Sequence, residues 1–323
     1  WATKDQRYRF PWTFPIAFSP HDPGIVYTAG NVAFRSVDDG TSWQAISPDL
    51  SREDTSKMMT ISGGPITSRG LSSQYISLIF AFTESPHEPG VFWAGTDDSQ
   101  IHISRDGGKT WKDVSPPDLP RWTCISIIEV SPHDPATAYV AAHRFKMDDH
   151  SPFLFKTTDY GKTWEKITKG IPNNDFMRVI RADPARRGLL YAGSETKVYV
   201  SFDEGSSWQS LQRNLPAVPI HDLTVHDNDL VAGTHGRAFW ILDDLTPLHQ
   251  ITDQVLQSPA HLFEPRPTYR LPSGMSFSMP GATGKQYSMG LGAVQVTYYD
   301  TPKPEGGSMR TYLDAGKNPP DGV

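Results

Sequence analysis

The stretch Ser36-Val-Asp38-Asp-Gly40-Thr-Ser-Trp43 recurs as Ser104-Arg-Asp106-Gly-Gly108-Lys-Thr-Trp111, as Thr157-Thr-Asp159-Tyr-Gly161-Lys-Thr-Trp164 and as Ser201-Phe-Asp203-Glu-Gly205-Ser-Ser-Trp208. A hydroxyl, an Asp, a Gly and a Trp at fixed offsets are the mark of an internal repeat. Each residue type suits a tight hairpin turn. Asp accepts hydrogen bonds from the turn amides that follow it, Gly occupies a positive-φ position, the hydroxyl residue adds a second cap, and Trp opens the next strand with a large apolar surface. A fifth, eroded copy, Ile241-Leu-Asp243-Asp-Leu245-Thr-Pro-Leu248, keeps the Asp and has Leu where Gly and Trp stood. The aspartates lie 68, 53, 44 and 40 residues apart. A folding device is needed in every unit and a catalytic group only once, so these aspartates are read as structural.

A second element precedes each copy: Ser19-Pro-His21-Asp22-Pro23, Ser85-Pro-His87-Glu88-Pro89 and Ser131-Pro-His133-Asp134-Pro135, with eroded forms at Ala182-Asp-Pro184 and Val225-His-Asp-Asn-Asp229. Each unit then reads as an apolar run, a Pro-rich turn, a short apolar run ending near Ala-Gly, an alternating run, the Asp/Gly turn and a Trp-led run. Four short strands in about 40 to 50 residues is the period of a β-propeller blade. The sequence therefore predicts an all-β propeller of about five four-stranded blades over residues 1–250, and a linker with the start of a β-rich region over 251–323. Residues 264–292 are rich in Pro, Gly, Ser and Met, and Ala293-Val-Gln-Val-Thr-Tyr-Tyr299 alternates like a strand. The repeated His-Asp/Glu pairs are read as turn chemistry rather than metal sites.

Composition agrees with this reading and removes other classes. The chain of 323 residues holds 28 Pro and 26 Gly, spread throughout, which disfavours long helices. Hydrophobic residues make up 37%, with nine Trp, enough for a sizeable core. The net charge of -6 and the absence of a Lys/Arg run disfavour nucleic acid and anionic membranes as partners. The single cysteine, Cys124, lies in an apolar stretch and reads as a small core residue. Gly108-Lys-Thr110 and Gly161-Lys-Thr163 lack the earlier glycines of a phosphate-binding loop, and no cofactor or metal is implied.

The eight-residue signature is similar to the Asp-box, or BNR, repeat of sialidases, xyloglucan-hydrolysing propellers and the sortilin ectodomain. The region from Trp12 to about Gln250, including Gly233-Thr-His-Gly-Arg-Ala-Phe-Trp-Ile-Leu-Asp-Asp244, resembles the large bacterial sortilin-like BNR-repeat proteins often labelled glycosyl hydrolases. The resemblance implies a periplasmic or secreted binding or scaffolding module, with glycoside hydrolysis or lyase action on polysaccharide as the alternative. It also implies more blades than five, supplied by the rest of a longer protein or by a protein partner.

Candidate site residues follow from propeller geometry, in which the 2-to-3 loops and the blade connections share the face where ligands meet the central pit. Two insertions fall there, residues 49 to 74 and the stretch from His143 to Pro152. Glycoside hydrolysis requires two carboxylates, and Asp97 or Asp98 with Asp148 or Asp149 are the candidate pair. Glu195, His235 and Arg237 are candidate ligand-binding residues, Arg237 for a carboxylate or a sugar hydroxyl. Asp148-Asp149-His150 is the weaker candidate for a cation. The three arginines and the Tyr/Glu pair of a sialidase have no counterpart.

Overall fold

The computed structural model describes residues 7–10, 13–52, 77–267, 284–289 and 295–312. The chain divides into two compact units, Trp1–Glu264 and Pro265–Val323. In the first unit the repeats form successive antiparallel sheets. Blade 1 comprises β1 (Ile16–Phe18), β2 (Val26–Ala29), β3 (Ala33–Ser36) and β4 (Gln44–Ala45). Blade 2 comprises β5 (Ile79–Glu84), β6 (Phe92–Thr96), β7 (Ile101–Ser104) and β8 (Lys112–Asp113). Blade 3 comprises β9 (Cys124–Val130), β10 (Ala138–Arg144), β11 (Asp149–Thr157) and β12 (Glu165–Lys166). Blade 4 comprises β13 (Met177–Ala182), β14 (Leu190–Ser194), β15 (Val198–Ser201) and β16 (Gln209–Ser210).

The fifth unit corrects the expectation of four strands per blade: β17 (Ile220–His226), β18 (Asp229–Thr234) and β19 (Phe239–Leu242) form a three-stranded sheet. The reason is in the eroded signature. Leu245 is fully buried, Leu248 packs onto the core shared with blade 4, and the chain turns into α1 (Thr246–Gln250) and α2 (Asp253–Gln257) instead of an outer strand. Arg186 of blade 4 donates to the carbonyls of Leu248 and Ile251, fixing that departure. The second unit holds one antiparallel sheet, β20 (Gly284–Met289), β21 (Gln295–Pro302) and β22 (Ser308–Tyr312), in which Arg310 makes two hydrogen bonds of 2.9 Å to Asp300. Most of the 49 to 74 insertion and of the 264–292 linker lies outside the described residues.

The Asp-box turns take the conformation their residues require. In the first, Asp38 accepts from Ser42 N–H (2.9 Å) and Ser42 Oγ (2.6 Å), while Ser36 Oγ donates to Asp38 and accepts from Gly40 N–H. The same pattern ties Asp106 to Thr110, Asp159 to Thr163 and Asp203 to Ser207. Hydrogen bonds from the Thr110 side chain and amide hold the Asp106 carboxyl down to about 2, so it stays ionised and acts as an acceptor only.

The second, third and fourth boxes also reach into the preceding blade. Trp111 Nε1 donates to Ile46 O (2.9 Å), Trp164 Nε1 to Val114 O (2.6 Å) and Trp208 Nε1 to Ile167 O (2.7 Å). Trp43 bonds its own turn at Gly40 O. On the Pro-rich face the staples run forward. His21 Nε2 lies 2.8 Å from Ser85 O, His87 Nε2 2.9 Å from Ser131 O and His133 Nε2 2.8 Å from Asp183 O, each pairing with the next blade. These histidines are therefore links between blades, a role the turn reading did not include.

The box glycine serves both geometries. Gly108 has φ +86°, and a Cβ there would lie 2.4 Å from Ile46 O of blade 1. Gly40 has φ +83° at the matching position, but a Cβ would meet only its own Trp43, at 3.6 Å. Gly40→Ala is expected to cost about 1–2 kcal/mol, the cost of the left-handed backbone alone. Gly108→Ala is expected to cost about 2–3 kcal/mol, because the blade contact must also open. Urea unfolding of the two variants measures this; equal losses would show that the glycine does nothing between blades.

Candidate functional site

The inner strands line a central channel. On its wall lie a cavity of about 570 Å³, bounded by blades 1 to 5, and a second of about 370 Å³ toward the Pro-rich turns. One irregularity recurs in the wall. Pairing skips Phe80 in blade 2, Ser126 in blade 3, Arg178 in blade 4 and His221 in blade 5, in each case near the start of the inner strand. A β-bulge turns the extra residue out of the alternation, and here all four line the larger cavity. Gly95, Gly193 and Gly233, opposite the bulges in blades 2, 4 and 5, are the glycines of the Ala-Gly ends. A Cβ on Gly95 would lie 2.4 Å from Ile125, and one on Gly193 2.6 Å from Ile220, so the small residue lets the next blade approach.

Blades 3 to 5 crowd this collar with aromatic and cationic groups. Phe145 and Phe176 stack with centroids 5.1 Å apart, and His143 lies against both, at 4.8 and 5.9 Å. The Arg178 guanidinium stands 5.0 Å from the Phe176 ring and 5.5 Å from that of Phe145, and donates from Nε to Glu195 at 2.6 Å. His221 and His235 face each other at 4.7 Å. Burial, then the Arg178 and Lys146 charges, push the His143 ring down to about 3, so it is neutral at physiological pH. Burial, Arg178 and His235 lower His221 in the same direction.

The residues singled out from the sequence separate into two groups. Glu195 and His235 lie at the collar, as the partners of Arg178 and His221. Arg237 lies in the exposed β18–β19 turn, where its N–H bonds Thr234 Oγ1 and its carbonyl accepts from Trp240 Nε1. Asp98 is buried and accepts from Thr96 Oγ1 and from Arg52 N–H. Asp97 accepts from Leu78 N–H at 2.8 Å, and burial, reinforced by Asp98, raises its carboxyl to about 7. The stretch from His143 to Pro152 is an extended hairpin rather than a loose loop: β10 and β11 close on a 3-10 turn (Phe145–Met147), with Asp148 at φ +56°. The Asp148 side chain is fully exposed, 3.7 Å from His150, and Asp149 is paired with Arg144 at 3.2 Å. Among the described residues no group of three or more His, Cys, Asp or Glu could hold a metal ion. Cys124 is buried with its thiol pushed up by burial, as a core residue would be.

Sequence reasoning passed over Phe80, Ser126, Arg178 and His221. The recurring Ala-Gly at the end of the second strand was the available signal, because the bulge lies opposite it.

A family model described as a BNR repeat-like domain matches residues 18–229. Vacuolar protein sorting/targeting protein 10 of Paracoccidioides brasiliensis is 29% identical over 136 residues, covering 36% of this chain and 8% of that protein. Among solved structures, an ancestral GH74 enzyme superposes with TM-score 0.52 at 17% identity, over 71% of this chain and 28% of that one. The GH74 xyloglucanase from Xanthomonas campestris superposes with TM-score 0.52 at 16% identity, over 72% of this chain and 36% of that one. The chain thus spans less than a tenth of the curated relative and about a third of the structures, and the structural likeness is one of fold. With the family model matching well over half of its length, the chain belongs to the BNR repeat-like β-propeller family.

Proposed function

We propose that this propeller is an extracytoplasmic binding module that takes a peptide segment of a protein ligand at the loop-face mouth of its channel. The observation that carries this reading is the bulge collar, which turns Phe80, Ser126, Arg178 and His221 into one cavity beside the Phe145–Phe176 stack. Stacked aromatics suit an apolar or aromatic side chain. Arg178 Nη1 has no protein partner among the described residues and suits a carbonyl or carboxylate of the ligand. The sorting/targeting name of the curated relative points the same way.

Hydrolysis of a polysaccharide is the second reading, and one observation favours it: a carboxyl held near 7 at Asp97 fits a general acid. Against it, Asp98, Asp149 and Glu195 are each engaged by their own hydrogen-bond donors and the Asp148 side chain is fully exposed, so none of these carboxylates is held as base or nucleophile by a surrounding site. Calorimetric titration with a peptide library and with xyloglucan oligosaccharides separates the two. Peptide binding that weakens about tenfold in Arg178→Met, with the folded state retained by far-UV circular dichroism at the assay temperature, is the expected result. Reducing ends released from xyloglucan by the chain, and abolished by Asp97→Asn, would replace the binding reading with the enzymatic one.

A further inference from the structure

We infer that the ligand group met by Arg178 is a tetrahedral oxyanion ester, a phosphate or a sulfate, held between its guanidinium and the facing His221–His235 pair. The inference rests on the peptide reading above and names the chemistry of one group on that ligand. It starts from the donors that the collar leaves unused. Glu195 Oε2 takes both Nε and Nη2 of Arg178, each at 2.6 Å, so the edge of the guanidinium that would grip a carboxylate in two parallel bonds is occupied. Nη1 alone is without a protein partner among the described residues. His221, which lines the larger cavity with Arg178, faces His235 at 4.7 Å, and no ring nitrogen of either histidine has a hydrogen-bond partner among the described residues. Three unused donor side chains are thus brought to one corner by β13, β17 and the β18–β19 turn. A carboxylate offers two oxygens in one plane, whereas a phosphate or sulfate ester offers three outer oxygens in a tetrahedron, one for each donor.

The corner is positive in a protein of net charge -6. The Arg178 charge reaches both His221 and His143, the Lys146 charge reaches His143, and Glu195 is the opposing carboxylate. Asp222, next along β17, is already paired with Arg181 at 2.7 Å. The Phe176 and Phe145 rings, 5.0 and 5.5 Å from the guanidinium, hold it in place, so little ordering is left for the moment of binding. Burial, Arg178 and His235 favour neutral His221 while the corner is empty. An anion there reverses that balance by giving an imidazolium its counter-charge, and binding then takes up protons. The sign follows: a histidine whose pKa rises on binding adds affinity at low pH that is lost as pH rises through the bound value.

Titration of the whole chain with methyl sulfate, methyl phosphate and acetate, followed by NMR of the histidine ring protons, tests this. Methyl sulfate does not itself titrate near neutrality, so any pH dependence of its binding belongs to the protein. Its affinity should rise about tenfold from about pH 8 to about pH 6. Methyl phosphate should bind as well, the tighter ester naming the source of the anion, and acetate about tenfold more weakly. Arg178→Met and the double variant His221→Asn/His235→Asn should each weaken ester binding about tenfold or more, the second with far-UV circular dichroism unchanged because both histidines are exposed. Acetate binding as tight as that of the esters overturns the inference, as does ester binding that survives Arg178→Met. So does a pH dependence kept by the double variant, in which Asp97, with its carboxyl at about 7, still titrates. The peptide reading is separable from this one. Library peptides that bind at the collar while neither ester does would remove the oxyanion and leave that reading standing, and ester binding without peptide binding would leave the anion site and remove the peptide.

Discussion

Trp208→Ala is expected to destabilise the propeller by about 3–5 kcal/mol, the cost of deleting a large aromatic from a core. Trp208 is almost fully buried and packs in one cluster with Tyr139, Leu154 and Ile167 of blade 3 and Met177 and Leu190 of blade 4. Its indole N–H donates to Ile167 O, and that carbonyl would lose its partner as well. Trp43→Ala is the internal control. Trp43 has the same place in the signature, is 43% exposed and bonds only within its own turn, so its loss should cost about 1 kcal/mol. Urea or guanidinium unfolding measures both. Equal losses would mean that the signature Trp acts within its own hairpin and not as the link to the preceding blade.

The second large effect is expected at Arg181, whose guanidinium joins three blades. It donates to Glu129 of blade 3 (2.9 Å) and to Asp222 (2.7 Å) and Leu223 O (2.8 Å) of blade 5. Glu129 is largely buried and burial raises its carboxyl pKa, with Arg181 the main opposing influence. Arg181→Met should leave that carboxylate without its counter-charge, at a cost of about 3 kcal/mol near neutrality, the low end for a buried pair because the groups keep some exposure. The pH dependence has a definite sign. A carboxyl whose folded pKa is raised contributes stability that is present below its unfolded value and is lost as pH rises through the folded value. Removing Arg181 raises the folded value further, so the deficit should be small near pH 4, about the unfolded value, and should grow toward neutrality. Thermal unfolding of the parent and variant across that range checks it, and adding Glu129→Gln should recover most of the loss. A deficit independent of pH would show that Arg181 acts through packing alone.

The Asp-box signature determined the blades and their turns without any tertiary information. Its hydrogen bonds, Ser36 to Asp38 and Asp38 to Ser42 with three repeats downstream, close within eight residues, and so the hydroxyl, Asp and Gly can be read as a unit. The substitution of Leu245 and Leu248 for Gly and Trp likewise signalled an abnormal fifth unit, although not that it would lose a strand. The candidate site was legible only in part. Glu195 and His235 were reachable because they sit in loops at a predictable end of each blade, whereas Arg178 and His221 lie on strands and enter the channel through a bulge. A bulge changes the facing of one residue without changing the strand pattern around it. The carboxylates of Asp98 and Asp149 looked free in the sequence, and their partners, Arg52 and Arg144, are set by how neighbouring segments fold back. The sequence by itself thus determined what forms inside one repeat, because those contacts are local. Tertiary structure alone decided what forms between repeats: the histidine staples, the reach of Trp208 to Ile167 and the bridge made by Arg181. Each of these joins residues about forty or more positions apart and depends on where one rigid sheet rests against the next.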